Sequence, residues 1–442
     1  MGRALGRRPH GAHRPLPLHR AAGEVRPGPA DRPGDAVTSA ATVAAVPGRG
    51  HWVRGVVQDV APPGVDDLAP GYLDPALLPV ELLADAAGRA LAEYGPAALT
   101  YGENQGALRL RALLAERTPD DPDFAGPEQV MLTAGTSQAL HLIATTLARP
   151  GDVVLLDEAS YDLAQRLFTD CGLLLRRIAS DEGGTSVPAL DEAARAVRAE
   201  GRRVAFLYAT PTFHNPTGRT FSRARREELL SVAARHGVLV VEDDAYAELA
   251  LDPGEPVPSM AGIAGHRGVL RLRTFAKTLA PGLRLGWLTG EPGLVGRLAG
   301  HGLVQSGGAL NHTMSMMVTR LLEDGAYDRH LPVLRAGLRE RRAALLRGLT
   351  SAGACGWTAA PSRGGFFLWL ECAPGLPEEQ LIAKAFASRM RIAPGSRFGH
   401  AGRTAVRLSY AFNPPGLLER AGRRLATHLH DPARHQEGKG SC

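Results

Sequence analysis

The sequence predicts an α/β fold with a mostly parallel sheet, followed by a smaller α+β domain near the C-terminus. Short apolar runs alternate with amphipathic helical segments in the middle of the chain, a pattern typical of a parallel sheet covered by helices. Beyond about residue 310, long arginine-rich helical segments precede a few strand-like runs. With 442 residues, the chain is long enough for two or three domain-sized units.

Each apolar run is short and bounded by turn residues, as expected of buried strands. The strands predicted for the larger sheet are Gln129–Thr133, Val153–Asp157, Val204–Ala209, Val238–Glu242, Val269–Arg273 and Leu283–Leu288. Between them, Gln138–Leu147 and Ser222–His236 carry apolar residues at helical spacing. The C-terminal part is predicted to contain a helix at His330–Leu349, strands at Gly365–Leu370 and Ala405–Tyr410, and a last helix near Pro415–His428.

The first 50 residues differ in composition from the rest. They hold seven Pro, eight Gly, eight Arg and three acids, so they carry +5 of the net charge of +6. Such a segment cannot bury enough apolar surface to offset the entropy of ordering, and we expect a disordered or untranslated extension rather than a nucleic-acid-binding arm. The predicted division is an extension at 1–50, a small domain from 51–85 and 311–430, a large domain at 86–310, and a flexible tail at 431–442.

Several protein classes are excluded by composition. No apolar run reaches the roughly 18–20 residues of a membrane span. The four cysteines, Cys171, Cys355, Cys372 and Cys442, are scattered without a C-x-x-C pair, which argues against a disulfide scaffold or a structural zinc site. We therefore expect a cytoplasmic protein that needs no metal.

Lysine is rare in this chain. Of 51 basic residues only three are Lys, namely Lys277, Lys384 and Lys439, so a lysine kept against this bias can be needed for its primary amine. Lys277 follows an apolar strand, where desolvation lowers the pKa of the amine and favours Schiff-base chemistry with a carbonyl. Lys384 lies in an amphipathic helix and is expected on its solvated face, and Lys439 is in the tail.

Three further motifs follow predicted strands. Gly135-Thr136-Ser137-Gln138 opens a helix, and its backbone N–H groups can face an anion, although an ordinary strand–helix turn has the same composition. Asn215-Pro216-Thr217-Gly218 has the composition of a turn. Glu242-Asp243-Asp244-Ala245-Tyr246 places carboxylates at the carboxyl end of a strand, where α/β sheets bind ligands.

In their order and spacing these motifs resemble those of pyridoxal-phosphate enzymes of fold type I, the class I/II aminotransferases. Within that class the chain is most similar to the group of 2-aminoadipate and kynurenine aminotransferases and the aminotransferase-like half of MocR-type regulators. The resemblance covers roughly residues 60–430. The further segments that carry it are Tyr101-Gly102, Gly106, Tyr161, Lys277 with Arg284, Gly364-Gly365-Phe366-Phe367, Pro394-Gly395-Ser396 and Val406-Arg407-Leu408-Ser409.

The resemblance implies a role for each residue around the cofactor ring. Lys277 would hold pyridoxal phosphate as a Schiff base and then move a proton between the substrate Cα and the cofactor C4′. Asp243 would keep the pyridine nitrogen protonated, which makes the ring an electron sink. Tyr246 and Asn215 would bond the ring hydroxyl, and Tyr161 would stack on the ring.

The resemblance also implies a phosphate site and a substrate site. The phosphate would be held by Gly135, Thr136, Ser137, Thr274 and Arg284, and by Tyr101 reaching across the interface of a homodimer. Arg407, assisted by Asn215, would bind the α-carboxylate of the substrate. The segment Gly71–Pro79 resembles the family's mobile substrate-covering loop. Three positions depart from the family pattern: Thr274 and Ala276 stand where Ser is usual, and His214 replaces a Gln or a small residue. His214 either lines the pocket or is a solvated loop residue.

Three functions are compatible with this pattern. The first is transfer of an amino group from an L-amino acid to a 2-oxo acid by a ping-pong route. The second is a lyase, cyclase or oxidase reaction on an amino acid, because the same cofactor constellation serves all of them. The third is a MocR-type transcription regulator, which is disfavoured because residues 1–50 do not resemble a winged helix-turn-helix.

Overall fold

The structure, a computed structural model, describes residues 61–117, 126–351, 356–359 and 362–429. Its strands are β1 (Asp66–Asp67), β2 (Val130–Thr133), β3 (Val153–Asp157), β4 (Leu174–Ile178), β5 (Ser180–Asp181), β6 (Gly184–Thr185), β7 (Val204–Ala209), β8 (Leu239–Asp243), β9 (Val269–Thr274), β10 (Gly286–Thr289), β11 (Trp357–Ala359), β12 (Phe367–Cys372), β13 (Met390–Arg391), β14 (Ala393–Pro394) and β15 (Ala405–Ser409). Its α-helices are α1 (Val80–Tyr94), α2 (Leu108–Glu116), α3 (Thr136–Leu147), α4 (Asp162–Asp170), α5 (Val187–Ala199), α6 (Arg223–Arg235), α7 (Met260–Ala264), α8 (Pro292–Ala299), α9 (Gly302–Gln305), α10 (His312–Glu323), α11 (Ala326–Thr350), α12 (Glu378–Ala387) and α13 (Pro415–Leu429).

A seven-stranded sheet in the order β2-β10-β9-β8-β7-β3-β4 lies at the centre of the larger part of the fold. Strand β10 runs antiparallel to β2 and β9, and the remaining pairs are parallel. Apolar side chains pack on both faces of this sheet, for example Ile143 of α3 on one face and Leu229 of α6 on the other. This arrangement confirms the predicted α/β class and brings the carboxyl ends of β3, β7 and β8 to one edge.

A four-stranded antiparallel sheet in the order β11-β12-β15-β14 forms the C-terminal part. Strand β1 pairs in parallel with β13, with Asp66 opposite Met390, so the first described segment joins residues from the C-terminal part. The described residues all belong to one compact unit, Trp52–Cys442, and the domain boundaries given above remain a prediction. The predicted extension 1–50 and tail 431–442 lie outside the described residues.

The predicted elements agree with the structure within a few residues, with one correction. The strand predicted at Leu283–Leu288 begins only at Gly286, because Pro281–Leu283 forms a short 3-10 helix and Arg284 adopts a left-handed conformation with φ of 46°. Strand β4 was not predicted, since its partly exposed LLRRI sequence lacks the apolar run of a buried strand. Within the described ranges, no helix is long and apolar enough to cross a membrane.

Candidate active site

Lys277 lies in the turn after β9 and is largely buried. Its Nζ donates a hydrogen bond of 2.7 Å to the carbonyl of Gly71 and lies 5.7 and 5.8 Å from the ring centres of Tyr246 and Phe366. Burial lowers the pKa of this amine to about 8, against a smaller opposing effect of Asp243. Near neutral pH a useful fraction of the amine is therefore uncharged and nucleophilic. By contrast, Lys384 is exposed on α12, as predicted.

Asp243 is the last residue of β8 and is buried. Its Oδ2 accepts a hydrogen bond of 2.8 Å from the Tyr208 hydroxyl, while Oδ1 is buried and accepts none from the described residues. Burial raises the pKa of this carboxyl to about 6, so it is mostly ionised at neutral pH. An ionised oxygen that is buried without a hydrogen-bond donor needs such a donor, and a protonated pyridine nitrogen can supply it.

Four of the predicted phosphate residues, Gly135, Thr136, Ser137 and Arg284, meet at the amino end of α3. Gly135 caps this helix with φ of 83°, and a Cβ placed there would lie 2.8 Å from a guanidinium nitrogen of Arg284. Arg284 also donates a hydrogen bond of 3.0 Å to the carbonyl of Ala134. A glycine is therefore required where the arginine crosses the helix start, and the cation and the N–H groups of the first helical turn favour an anion at this point.

Two other predicted phosphate residues have different surroundings. The Thr274 hydroxyl donates to the Leu285 carbonyl at 3.3 Å and accepts from the Ala276 N–H at 3.0 Å. Thr274 thus braces the turn that carries Lys277. Tyr101 is 84% exposed in this single chain. Ser137 is exposed at the start of α3 and accessible to a ligand.

Two tyrosines line the site near Lys277. Tyr246 is buried, with its ring 5.2 Å from that of Phe366 and 5.9 Å from that of Phe367, both edge to face. Tyr161 immediately precedes α4, and its pKa is raised by burial and by the charges of Asp162 and Asp243. Both hydroxyls are therefore neutral at physiological pH and can donate hydrogen bonds.

Arg407 on β15 is the most unusual charge of the site, because it is 5% exposed and forms no ion pair with an acid among the described residues, while the charge of Asp162 acts on it only from a longer distance. Its guanidinium donates to Asn215 Oδ1 at 2.7 Å and to the Ala69 carbonyl at 2.6 Å. The rings of Phe367 and Phe398 lie 4.1 and 4.6 Å from its Cζ. Burial lowers its pKa to about 10, so it remains a cation. A buried cation without a counter-ion is costly, and an anionic ligand relieves that cost.

Sequence analysis assigned no role to several residues that contact this site. Tyr208 donates to Asp243, and the carbonyls of Ala69 and Gly71 accept from Arg407 and Lys277. A tyrosine inside an apolar strand looks like any core residue, and backbone carbonyls have no sequence signature. His214, for which a solvated loop position was one alternative, is buried at 3% exposure.

The assembled side chains fit the group that the resemblance implies. Three groups lie at one edge of the sheet: an amine whose pKa is close to neutral pH, a carboxylate oxygen that accepts no hydrogen bond from the described residues, and a helix start that can bind an anion. A buried arginine also lowers the pKa of the amine. This combination of groups is what pyridoxal phosphate requires for its carbonyl, its ring nitrogen and its phosphate. The arginine is left to bind a second anion.

Comparisons with known proteins agree with this arrangement. The family described as aminotransferase class I and II matches residues 72–425. Aromatic-amino-acid aminotransferase 1 of Thermococcus litoralis is 31% identical over 86% of this chain and 91% of that protein. The 2-aminoadipate transaminase of Thermus thermophilus is 34% identical over 84% and 93%, respectively.

Solved structures give the same result. The alpha-aminoadipate aminotransferase of Thermus thermophilus, complexed with N-(5'-phosphopyridoxyl)-L-leucine, has a TM-score of 0.73 and 32% identity, covering 83% of this chain and 92% of that one. Relatives named as HTH-type transcriptional regulators also match, but over 70–80% of their own length. The chain therefore belongs to the class I and II aminotransferases, the pyridoxal-phosphate-dependent transferases of fold type I.

Proposed function

We propose that Lys277, Asp243 and Arg407 together carry out amino-group transfer between an L-amino acid and a 2-oxo acid. The observation that carries this proposal is the buried Arg407, which donates to the Ala69 carbonyl two residues from the Gly71 carbonyl that accepts from Lys277. Both substrates of a transamination share one α-carboxylate, and one permanent cation serves both half-reactions. Pyridoxal phosphate, when bound, supplies the carbonyl and the electron sink.

The residues of the chain divide this task. Lys277 Nζ would hold the cofactor through its carbonyl and would carry the proton between the substrate Cα and the cofactor C4′. Asp243 Oδ1 would accept a hydrogen bond from the protonated ring nitrogen, and the Tyr208 hydroxyl holds the carboxylate in place by donating to Oδ2. Gly135, Thr136, Ser137, Thr274 and Arg284 hold or brace the phosphate site. Tyr246 and Asn215 bond the ring hydroxyl, and Tyr161 stacks on the ring.

Replacement of Arg407 tests the proposed carboxylate site. Arg407→Lys should raise the KM of the amino donor by about 100-fold, because a single ammonium replaces a two-pronged guanidinium contact. The loss of one charge-assisted hydrogen bond and of its fixed geometry accounts for a factor of this order. Steady-state kinetics measures it, with Arg176→Lys on exposed β4 as the control. A KM within threefold of the wild-type value would contradict the assignment.

The pKa of Lys277 predicts how the protein acquires its cofactor. In the cofactor-free protein the amine is mostly protonated below about pH 8, and only its uncharged fraction can attack a carbonyl. The rate of Schiff-base formation with added pyridoxal phosphate should therefore rise about tenfold per pH unit up to about pH 8 and level off above it. Stopped-flow absorbance at a series of pH values measures the midpoint. A rate still rising near pH 10 would indicate an ordinary, solvated lysine instead.

The amino donor is proposed from the relatives. These are an aromatic-amino-acid aminotransferase and a 2-aminoadipate transaminase, and the walls of the site contain Phe366, Phe367 and Tyr246. Lyase, cyclase or oxidase chemistry would use the same residues. Incubation with a candidate donor plus 2-oxoglutarate or pyruvate distinguishes them, because only a transaminase converts its cofactor to the amine form and back.

We also propose a homodimer in the cytoplasm, with Tyr101 of each chain reaching the phosphate of the other. Large apolar side chains close to Tyr101 in the sequence, including Leu99 and Leu108, are exposed in the single chain. This exposure supports a surface that a second chain covers. The free thiols of Cys171 and Cys372 support a reducing compartment. We propose no nucleic-acid and no membrane partner. The mass in solution, measured by sedimentation, tests the dimer.

A further inference from the structure

A buried polar array lies beneath Asn215, in the turn that follows β7. His214 Nδ1 lies 2.8 Å from the Thr217 hydroxyl and 3.4 Å from the Thr217 backbone N–H. An N–H can only donate, so Nδ1 is the acceptor and the ring proton is on Nε2. Burial and Arg219 lower the pKa of His214 to about 3, which keeps the ring neutral. The imidazole therefore braces the turn as a hydrogen-bonding group of fixed polarity.

The other side of the imidazole faces a carboxylate. His214 Nε2 lies 3.5 Å from Asp157 Oδ2 at the end of β3, and both side chains are buried. The Thr185 hydroxyl donates to the other oxygen of Asp157, which fixes that carboxylate in turn. The ring is thus held by donors on its Nδ1 side, while Nε2 faces the Asp157 carboxylate without forming a hydrogen bond. The imidazole, which lies between the Asp157 carboxylate and the Thr217 hydroxyl, is thereby held in one plane and holds the turn in one position.

The turn matters because it carries Asn215 between His214 and Thr217. Asn215 Oδ1 accepts one of the two hydrogen bonds that Arg407 makes with described residues. The backbone carbonyl of Ala69, on a different segment, accepts the other. A shift of the turn would therefore tilt the guanidinium, because only one of its two hydrogen-bond acceptors would move. A bidentate contact to a carboxylate tolerates little such tilting.

We propose that His214, through Thr217 and Asp157, is a positioning residue for carboxylate binding by Arg407. The inference rests on the proposed function of Arg407. It gives the departure from the family pattern at position 214 a specific consequence, since the imidazole bonds Thr217 and acts through the placement of Asn215. A purely structural role for the array would affect all ligands of the site alike, whereas a positioning role affects those that carry a carboxylate.

Two matched probes separate these roles in the cofactor-loaded enzyme. The first, 3-phenylpropanoate, has a carboxylate and no amine, and the second, 2-phenylethylamine, has an amine and no carboxylate. Dissociation constants come from titration of the cofactor absorbance. Thr217→Val removes the hydroxyl donor to His214 at constant shape. It should weaken 3-phenylpropanoate about tenfold and leave 2-phenylethylamine within twofold, whereas Thr217→Ser should restore wild-type affinity for both.

Two further variants complete the experiment. His214→Asn keeps an acceptor near the Nδ1 position and loses the group that faces Asp157, so it should weaken 3-phenylpropanoate two- to fivefold, and it carries the test if Thr217→Val does not fold. His236→Gln is the control, because His236 forms a similar pair with Asp191 at 2.8 Å. This pair lies at the end of α6, in the turn that precedes β8. It should change neither constant.

The outcomes separate this inference from the function on which it rests. Equal weakening of both probes by Thr217→Val, or no weakening of either, overturns the positioning role alone. A wild-type enzyme whose cofactor spectrum responds to neither probe overturns the proposed carboxylate site and this inference with it. Selective loss of 3-phenylpropanoate, reversed in Thr217→Ser, supports the inference.

Discussion

Lys277→Arg should lower kcat for amino-group transfer by a factor on the order of 10⁵ or more. Arginine keeps the positive charge and much of the length, but its guanidinium stays protonated and cannot form a Schiff base. Losses of this size follow removal of a group that forms the covalent bond of the reaction. Because the hydrogen bond to the Gly71 carbonyl can be kept by arginine, the fold should survive the change.

The covalent link gives a second measurement that does not depend on turnover. Borohydride treatment of the wild-type enzyme should fix the cofactor on the peptide that contains Lys277, as located by mass spectrometry. The Lys277→Arg protein should carry no such adduct. Lys384→Arg, on the exposed face of α12, is the matched control and should retain both activity and adduct. An adduct that persists in Lys277→Arg, on Lys384 or Lys439, would refute the assignment.

Asp243→Asn should lower kcat by a factor on the order of 10³, the cost of removing a preorganised charge from a water-poor site. The amide is nearly isosteric with the carboxylate and can still accept a hydrogen bond from Tyr208, so the variant should fold. It cannot balance a positive charge on the pyridine nitrogen, and the ring then draws electrons from the substrate less strongly. Single-turnover reaction with an amino donor measures the chemical step directly.

The control for this charge removal is Asp170→Asn, at the exposed end of α4, which should leave kcat unchanged. A fall of less than tenfold in Asp243→Asn would mean that the ring nitrogen does not depend on this carboxylate. A different hydrogen-bond donor for Oδ1 would then have to be found in the site.

Much of the fold and of the site is predictable from local sequence. The strands at Val153–Asp157 and Val204–Ala209 were predicted to the residue, because a buried parallel strand is a short apolar run between turn residues. Lys277 and Asp243 each follow or end such a strand, and parallel strands place these ends along a common edge. The family pattern then predicted their chemistry, while the individual roles of the site residues await the experiments above.

Other features depend on contacts between distant segments. Strand β4 is held by its pairing with β3 rather than by its own partly exposed sequence. The two carbonyls that bond Lys277 and Arg407 come from residues 71 and 69, more than 200 positions away in the chain. No periodicity or motif predicts which backbone carbonyl meets which side chain.

The sequence alone determined the class of fold, the family, and the residue types that the chemistry needs, because these depend on periodicity and on the identity of reactive groups. It singled out one lysine among 51 basic residues as the one placed for imine chemistry. Only the tertiary structure decided the state of each group. Burial sets the pKa of Lys277 near 8 and that of Asp243 near 6. The fold also buries Arg407 without an ion-pair partner among the described residues, and it buries His214 in the turn that it braces. Desolvation and hydrogen bonding depend on what surrounds a side chain in space, and residues far apart in the chain supply those surroundings.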